Sequence, residues 1–336
     1  MREPKPYWRD VPKELLTQII KLVESPIIGA SRVFGGYGPS ATFRIVLEDG
    51  RSIFAKGAGK GSISGNWQTL PHEEWMYRNI TGIKPFSPRY LGAVTVEGWH
   101  LLLLEDLVGS INVPPWTEKL ALQAVKDIAT FHVSCIHEGL KVKEIEGNGI
   151  VDNWLTIKDS PYERNCFLQL FIDSRLEAEA WLDQTLDAFI ALEADVLHHN
   201  QPWGLIHKDI RSDNLCFRDG KLILFDWALA CRGPLLFDFG FFLPSLEGEG
   251  GPVGEKLLFE YQKEMACSGI KFPAFSAQSV AAATAGFFAS RAGKPGIAAL
   301  PTLRQVQRLQ LGPALRLACS VLNLPKPPSL NFNAYK

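Results

Sequence analysis

Hydrophobic and polar positions change period several times along the first hundred residues. Leu15, Leu16, Ile19, Ile20 and Val23 recur at the spacing of one helical face, and Asp10 stands where a cap belongs for a helix starting near Pro12. From residue 27 the period shortens. Residues 27–34, 42–47 and 52–56 read as strands, joined by a glycine turn at 35–41 and a hairpin turn at Glu48-Asp49-Gly50-Arg51. A helix over 71–79 follows, then a second hairpin, 89–95 and 99–104, turned at Glu97-Gly98. Leu101-Leu102-Leu103-Leu104 shows no alternation, the pattern of a strand buried on both faces. This part of the chain predicts a small antiparallel sheet of five strands with one helix between strands three and four.

Past Pro114-Pro115, which mark the change of unit, the pattern becomes mainly helical. Thr117 can cap a helix running to about His137, with Leu120, Val125, Ile128, Ala129 and His132 inward, so His132 reads as a core histidine. Residues 158–197 are helical. A helix starting at Phe239 is expected to be interrupted by Pro244, a glycine-rich loop spans 247–254, and helices follow near 256–267, 277–291 and 303–322. The tail from Pro325 reads as loose chain. The expected fold class is α+β, with a sheet unit over residues 1–107 and a mainly helical unit over 108–336.

Between the helical stretches lies a segment with defined chemistry, from Gly204 to Gly240. Asp209 and Asn214 are five residues apart on a polar loop that Leu205-Ile206 and Leu215-Cys216-Phe217 pin at both ends. Asp219-Gly220 is a tight-turn dipeptide, and the apolar run 221–225 after it pairs back as a hairpin, so Asp226 is expected beside Asn214 and Asp209. Phosphoryl transfer needs such a grouping, because it asks the protein mainly for positioning and charge neutralisation. Asp209 fits a carboxylate that holds an acceptor hydroxyl and takes its proton. Asn214 and Asp226 fit oxygen ligands for Mg2+. His207 reads as a residue that packs the loop in place, Asp213 as solvated or a loop hydrogen-bonder, and Asp238, flanked by apolar residues, as a semi-buried brace for the loop.

His207-Lys208-Asp209-Ile210-Arg211-Ser212-Asp213-Asn214, then Phe225-Asp226-Trp227 and the later Phe237-Asp238, resembles the aminoglycoside phosphotransferase and choline kinase family. The likeness is strong over 205–240, looser over 27–107, and extends over nearly the whole chain. It implies a bilobal, protein-kinase-like fold with MgATP between the lobes. That family more often has Gly or Asn where Lys208 stands, a departure that bears on the electrostatics near the acceptor. Asp238 follows Asp226 by only twelve positions, and no Ala-Pro-Glu follows at activation-loop distance, which argues against a protein kinase.

The nucleotide end is carried by weaker signals. The turn Gly36-Tyr37-Gly38-Pro39-Ser40-Ala41 matches Gly-x-Gly-x-x-Ala, one residue short of the kinase glycine loop. It is either a plain strand connection or a phosphate cradle involving Gly36, Gly38 and Ser40; lying between two strands, it is not a dinucleotide fingerprint. Lys56, at the end of Ile53-Phe54-Ala55-Lys56, resembles the strand lysine of kinases that holds the α and β phosphates; the alternative is a surface lysine. Glu73 is the candidate partner that keeps the ammonium charged and aimed, with Glu74 as rival. The resemblance also implies a hinge at Glu105 and Leu107, whose neighbouring backbone groups would bond adenine. Gly57-Ala58-Gly59-Lys60-Gly61-Ser62 lacks the order of a P-loop and reads as a connector.

Composition narrows the rest. The chain has 336 residues, enough for one large or two medium domains, and a net charge of −1 that gives no footprint for nucleic acid. The charged N-terminus is not a signal peptide, and no apolar stretch is long enough to span a bilayer. Six cysteines without a Cys-x-x-Cys pair predict reduced, buried thiols and a cytoplasmic protein. Residues 158–197 carry nine acidic against three basic side chains, a net of minus six. That segment is either a solvated helix face or an acidic wall suited to a cationic acceptor, with Trp154, Tyr162 and Trp181 as core or as an aromatic side. The combined expectation is an ATP- and Mg2+-dependent phosphotransferase acting on a hydroxyl of a small molecule. A non-catalytic ATP-binding protein of the same fold and a protein kinase are the alternatives.

Overall fold

The computed structural model describes residues 5–34, 40–59, 66–298 and 300–330. Its contacts divide the chain into two compact units, one comprising 1–112, 213–230 and 298–301, the other 113–212, 231–297 and 302–336. The chain therefore leaves the first unit after Asn112, re-enters it at Asp213 and leaves again after Ala230. A single boundary after Leu107 does not describe this division, because the segment 213–230 groups with the sheet.

In the first unit, β1 (Ile27–Arg32), β2 (Ala41–Leu47), β3 (Ser52–Ala58), β4 (Tyr90–Val96) and β5 (Trp99–Glu105) form one antiparallel sheet in the order β1-β2-β3-β5-β4. Leu101 to Leu104 of β5 are all buried, as their unbroken apolar run requires. Glu97 and Gly98 both have positive φ, which fits a two-residue turn whose twist matches that of the strands. Helix α1 (Lys13–Val23) buries Leu15, Ile19 and Val23 against the sheet and leaves Ile20 exposed. Asp10 does not cap α1. Its carboxylate accepts the Tyr7 amide at 3.1 Å and closes the preceding turn, and Pro12 occupies the cap position. Helix α2 (Asn66–Asn79) starts five residues before the expected Pro71, which sits inside it. A proline this close to a helix start removes a single intrahelical bond, so the helix continues through it.

The strands β7 (Leu215–Arg218) and β8 (Lys221–Leu224) form the expected hairpin, with Asp219 and Gly220 both at positive φ. Phe217 and Ile111 exchange backbone hydrogen bonds of 2.8 Å in both directions, and Arg218 bonds Glu105 at 2.6 Å. These contacts tie the hairpin to the chain that follows β5.

The second unit is mainly helical: α3 (Glu118–Ser134), α4 (Asn153–Asp159), α5 (Pro161–Leu168), α6 (Arg175–Glu193), α7 (Leu235–Gly248), α8 (Gly254–Cys267), α9 (Ala274–Ala292) and α10 (Leu303–Val321), with a two-stranded pairing of β6 (Trp203–Ile206) and β9 (Cys231–Pro234). Thr117 caps α3 by accepting the Leu120 amide at 3.2 Å. Helix α7 begins four residues earlier than the pattern predicts and runs through Pro244, which places Asp238 in its first turn. Trp154 is fully buried and stacked on Phe189, Trp181 is buried, and Tyr162 is exposed. All six cysteines are free thiols; Cys267 is exposed and the others are buried. Among the described residues no helix is long and apolar enough to cross a membrane.

Acidic residues of the 158–197 segment pair with nearby cations: Asp187 with Lys158, Asp183 with Arg164, Glu179 with Arg175 and Glu163 with Lys294. Glu193 differs. It is buried and accepts from Asn153 Nδ2 and the Trp154 amide, each at 3.1 Å. Gly286 on α9 permits this approach, since an added Cβ there would lie 2.6 Å from Glu193 Oε1. Burial pushes the Glu193 carboxyl up to about 7, against the two hydrogen bonds, with Asp152 adding to the rise. A folded-state pKa above the unfolded value gives stability that is full below the ordinary glutamate pKa and lost as pH rises through the folded one. Glu193→Gln should therefore gain on the parent between pH 5 and pH 8 by up to about 3 kcal/mol. Urea unfolding at both pH values checks this, and an equal difference at each would refute it.

Candidate active site

In the first unit the candidate residues Lys56, Glu73 and Asp226 meet. Lys56 Nζ lies 2.8 Å from Glu73 Oε2 and 2.5 Å from Asp226 Oδ1. Lys56 projects from β3 and Glu73 from α2, while Asp226 follows the β7–β8 hairpin. Glu73 is completely buried, Lys56 nearly so, and Asp226 has 37% of its side chain exposed. Burial alone would lower the ammonium's pKa. The carboxylates of Glu73 and then Asp226 more than reverse that, so Lys56 stays protonated. Burial raises the Glu73 carboxyl, and the Lys56 charge opposes it.

Glu74, the rival, is engaged elsewhere: it accepts from Arg78 and Tyr90 and pairs with His100. Helix α2 is held against the far end of the hairpin segment by His72, whose Nε2–H donates to the Ala230 carbonyl at 2.8 Å. Glu73 is thereby turned inward and Glu74 towards the edge of β4 and β5.

Asn214 is buried, and its backbone carbonyl accepts the Phe225 amide at 3.0 Å, so it lies at the same end of the hairpin as Asp226. Asp226 has φ of +69°, a strained backbone for a residue with a Cβ. Two carboxyl groups, Glu73 and Asp226, face one ammonium in this cluster. A half-exposed carboxylate beside an amide-bearing residue fits Mg2+, which takes one or two protein oxygens and completes its shell with phosphate and water. Among the described residues no group of three or more His, Cys, Asp or Glu side chains is arranged to hold a metal by itself.

Around the expected hinge, the Glu105 amide donates to the Arg89 carbonyl at 2.8 Å and the Leu107 carbonyl accepts the Ser110 amide at 3.2 Å. Asp106 between them receives a two-pronged bond from Arg44, at 2.7 and 3.1 Å, a brace for which the sequence offers no signal. Ser40 is half-buried and directly precedes β2. Gly36 and Gly38 lie outside the described residues.

The second unit carries Asp209. Its side chain is 31% exposed and pairs with Arg211 Nε at 3.2 Å, and its amide donates to His207 Nδ1. His207 is fully buried, as a loop-packing residue should be. Asp238 takes the amides of His207 and Lys208 on its two oxygens, each at 2.7 Å. The brace expected of Asp238 is thus visible as a pair of charge-assisted bonds to the backbone. His132 Nε2 donates to the same carboxylate at 3.2 Å, and its Nδ1 is hydrogen-bonded to the Tyr261 hydroxyl at 2.6 Å. Lys208 has φ of +68°, in the region that Gly and Asn tolerate best. At the other end of the loop, Ser212 Oγ donates to Glu249 at 2.5 Å, and Trp116 Nε1 holds the second oxygen of Glu249 at 2.8 Å.

Asp238→Asn keeps the shape but turns one acceptor into a donor that faces a backbone N–H. It should cost about 1–3 kcal/mol. Urea unfolding checks this, and a variant as stable as the parent would sink the bracing role.

A family model for the phosphotransferase enzyme family matches residues 82–267, more than half of the 336-residue chain. No curated protein sequence matches it. Among solved structures, a spectinomycin phosphotransferase in complex with ADP and spectinomycin is 14% identical, with 92% of this chain and 98% of that one covered at a TM-score of 0.61. An aminoglycoside phosphotransferase from Alicyclobacillus acidocaldarius is also 14% identical, covering 93% and 96% at 0.61. A choline/ethanolamine kinase family protein from Mesorhizobium loti is 14% identical, covering 88% and 89% at 0.54. At such identities the likeness is one of fold: a kinase-like α+β architecture with a five-stranded antiparallel sheet and a mainly helical remainder.

Proposed function

The chain belongs to the phosphotransferase enzyme family, and from that premise we propose that it transfers the γ-phosphate of MgATP to a hydroxyl of a small molecule. The observation that supports this most is the buried Lys56–Glu73–Asp226 cluster, with Asn214 at the same end of the hairpin. In this reading Glu73 fixes the Lys56 ammonium, which holds the α and β phosphates. Gly36, Gly38 and Ser40 would border the phosphates, and backbone groups near Glu105 and Leu107 would meet the base. Asn214 and Asp226 would hold Mg2+, whose charge offsets that developing on the phosphoryl oxygens. With the metal bound, the Asp226 carboxylate would be shared between it and Lys56. Asp209, on the loop braced by Asp238, orients the acceptor hydroxyl and takes its proton.

ADP in the spectinomycin phosphotransferase supports nucleotide use, and spectinomycin there supports an acceptor of small-molecule size. The net negative charge of 158–197 would favour a cationic acceptor through long-range attraction, although several of its carboxylates are paired locally.

An ATP-consumption screen across aminoglycosides, macrolides, sugars and amino alcohols, with mass spectrometry for an added phosphate, tests the proposal. Acceptor-dependent ATP loss with a phosphorylated product is expected. MgATP binding without transfer to any acceptor would overturn it in favour of a nucleotide-binding role.

A further inference from the structure

The helical unit contains a cavity of about 490 Å³ where the start of α4, the end of α9 and the start of α10 come together. Asn153, Ser290, Arg291, Lys294, Arg304 and Gln307 supply its polar lining, and Val151, Ile297 and Leu303 its apolar part. Its size falls among cavities that take small organic ligands.

The charge of this cavity is unusual for its surroundings. Three cationic side chains line it against one carboxylate, Asp152. Lys294 is neutralised by Glu163 at 2.8 Å. The two guanidinium groups are not. Arg291 donates to Asn153 Oδ1, Ser290 Oγ and the carbonyls of Phe287 and Gly149, all neutral acceptors at 2.7–3.0 Å. Arg304 donates to the Pro295 carbonyl and to Gln307 Oε1, also neutral. Among the described residues neither forms an ion pair with a carboxylate. Burial first, and then the positive charge of Arg304, hold the Arg291 guanidinium below its ordinary pKa, with Glu193 and Glu163 opposing. Two like charges share a partly buried space, while Glu163 of α5 and Glu179, Asp183 and Asp187 of α6 pair with other cations.

We propose that this cavity binds a small organic anion whose carboxylate or phosphate oxygens are held by Arg291 and Arg304. Guanidinium groups recognise both kinds of oxyanion through paired N–H bonds, and an anion between them would remove their mutual repulsion. The bonds of Arg291 to the 149–153 segment and to the end of α9 pre-set its fork before a ligand arrives. The apolar lining leaves room for a carbon skeleton attached to the anionic group. This site does not depend on the phosphotransfer reading.

Isothermal titration calorimetry of the full chain tests it, with inorganic phosphate in one arm and citrate in the other, at ionic strength held constant with sodium chloride. Saturable one-site binding is expected in at least one arm, and the tighter arm tells phosphate from carboxylate. Arg304→Gln should weaken that binding by roughly tenfold or more. This variant removes a partly exposed side chain, and its far-ultraviolet circular dichroism and Tm confirm folding. Lys56→Met/Glu73→Leu, which removes the cation at the nucleotide end without stranding a buried carboxylate, should leave the affinity unchanged once circular dichroism and Tm confirm its folding, which separates this site from a phosphate site there. Arg291→Lys keeps the charge but loses the fork, and should also bind more weakly. Absence of saturable heat in both arms, or isotherms unaltered in Arg304→Gln, would overturn the proposal. So would phosphate binding lost in the folded Lys56→Met/Glu73→Leu variant but kept in Arg304→Gln.

Discussion

Asp209→Asn is expected to lower turnover by roughly 10²–10⁴-fold, the contribution of a well-placed general base, while leaving folding and nucleotide binding intact. The substitution keeps the size of the side chain and the backbone bond from the Asp209 amide to His207. It removes the charge that faces Arg211 and the ability to accept a proton from a hydroxyl. With an acceptor identified, the comparison is kcat at saturating MgATP together with the Kd for nucleotide. Unaltered kcat would end the assignment of Asp209 as the base. A parallel loss of nucleotide affinity would show instead that the loop had shifted.

The second large effect is on stability. Lys56→Met leaves Glu73 fully buried without its cation, and breaking a buried pair in this way costs about 3–5 kcal/mol. The loss should depend on pH. Without Lys56 the Glu73 carboxyl moves further up, because burial still raises it and the opposing charge has gone. Below that raised pKa the carboxyl is neutral and the penalty is small; above it the penalty is complete. Unfolding at pH 5 and pH 8 should thus show a greater deficit at pH 8. The double variant Lys56→Met/Glu73→Leu should recover much of it, since an apolar pair needs no desolvation. A pH-independent deficit would mean that packing, not charge, sets the cost.

Local signals were the most legible in the sequence. Both two-residue turns, at 97–98 and 219–220, were readable because their residue types tolerate the positive φ such hairpins need. The buried strand 101–104 was readable from its apolar run. What depended on distant partners was not. Glu73 and Glu74 are successive residues on one helix, so the choice between them rests on how α2 is held, and the His72 bond to Ala230 that helps hold it spans 158 positions. Asp238 could be marked as needing donors, but His207, Lys208 and His132 are 31, 30 and 106 residues away. Pro71 and Pro244 have the look of a helix start and a helix interruption in the sequence. Both helices run through them, because packing outweighs one missing backbone bond.

The interleaved course of the chain constrains how this protein can be divided. A fragment ending at Asn112 would hold all five strands of the sheet yet lack Arg218 and Asp226, the partners of Glu105 and Lys56. It would also uncover the edge that Ile111 offers to Phe217. The sheet unit therefore cannot be obtained by truncation alone. A self-standing version would need residues 213–230 spliced back through an artificial linker, and any insertion or recombination event at Asn112 would have to carry that second piece with it.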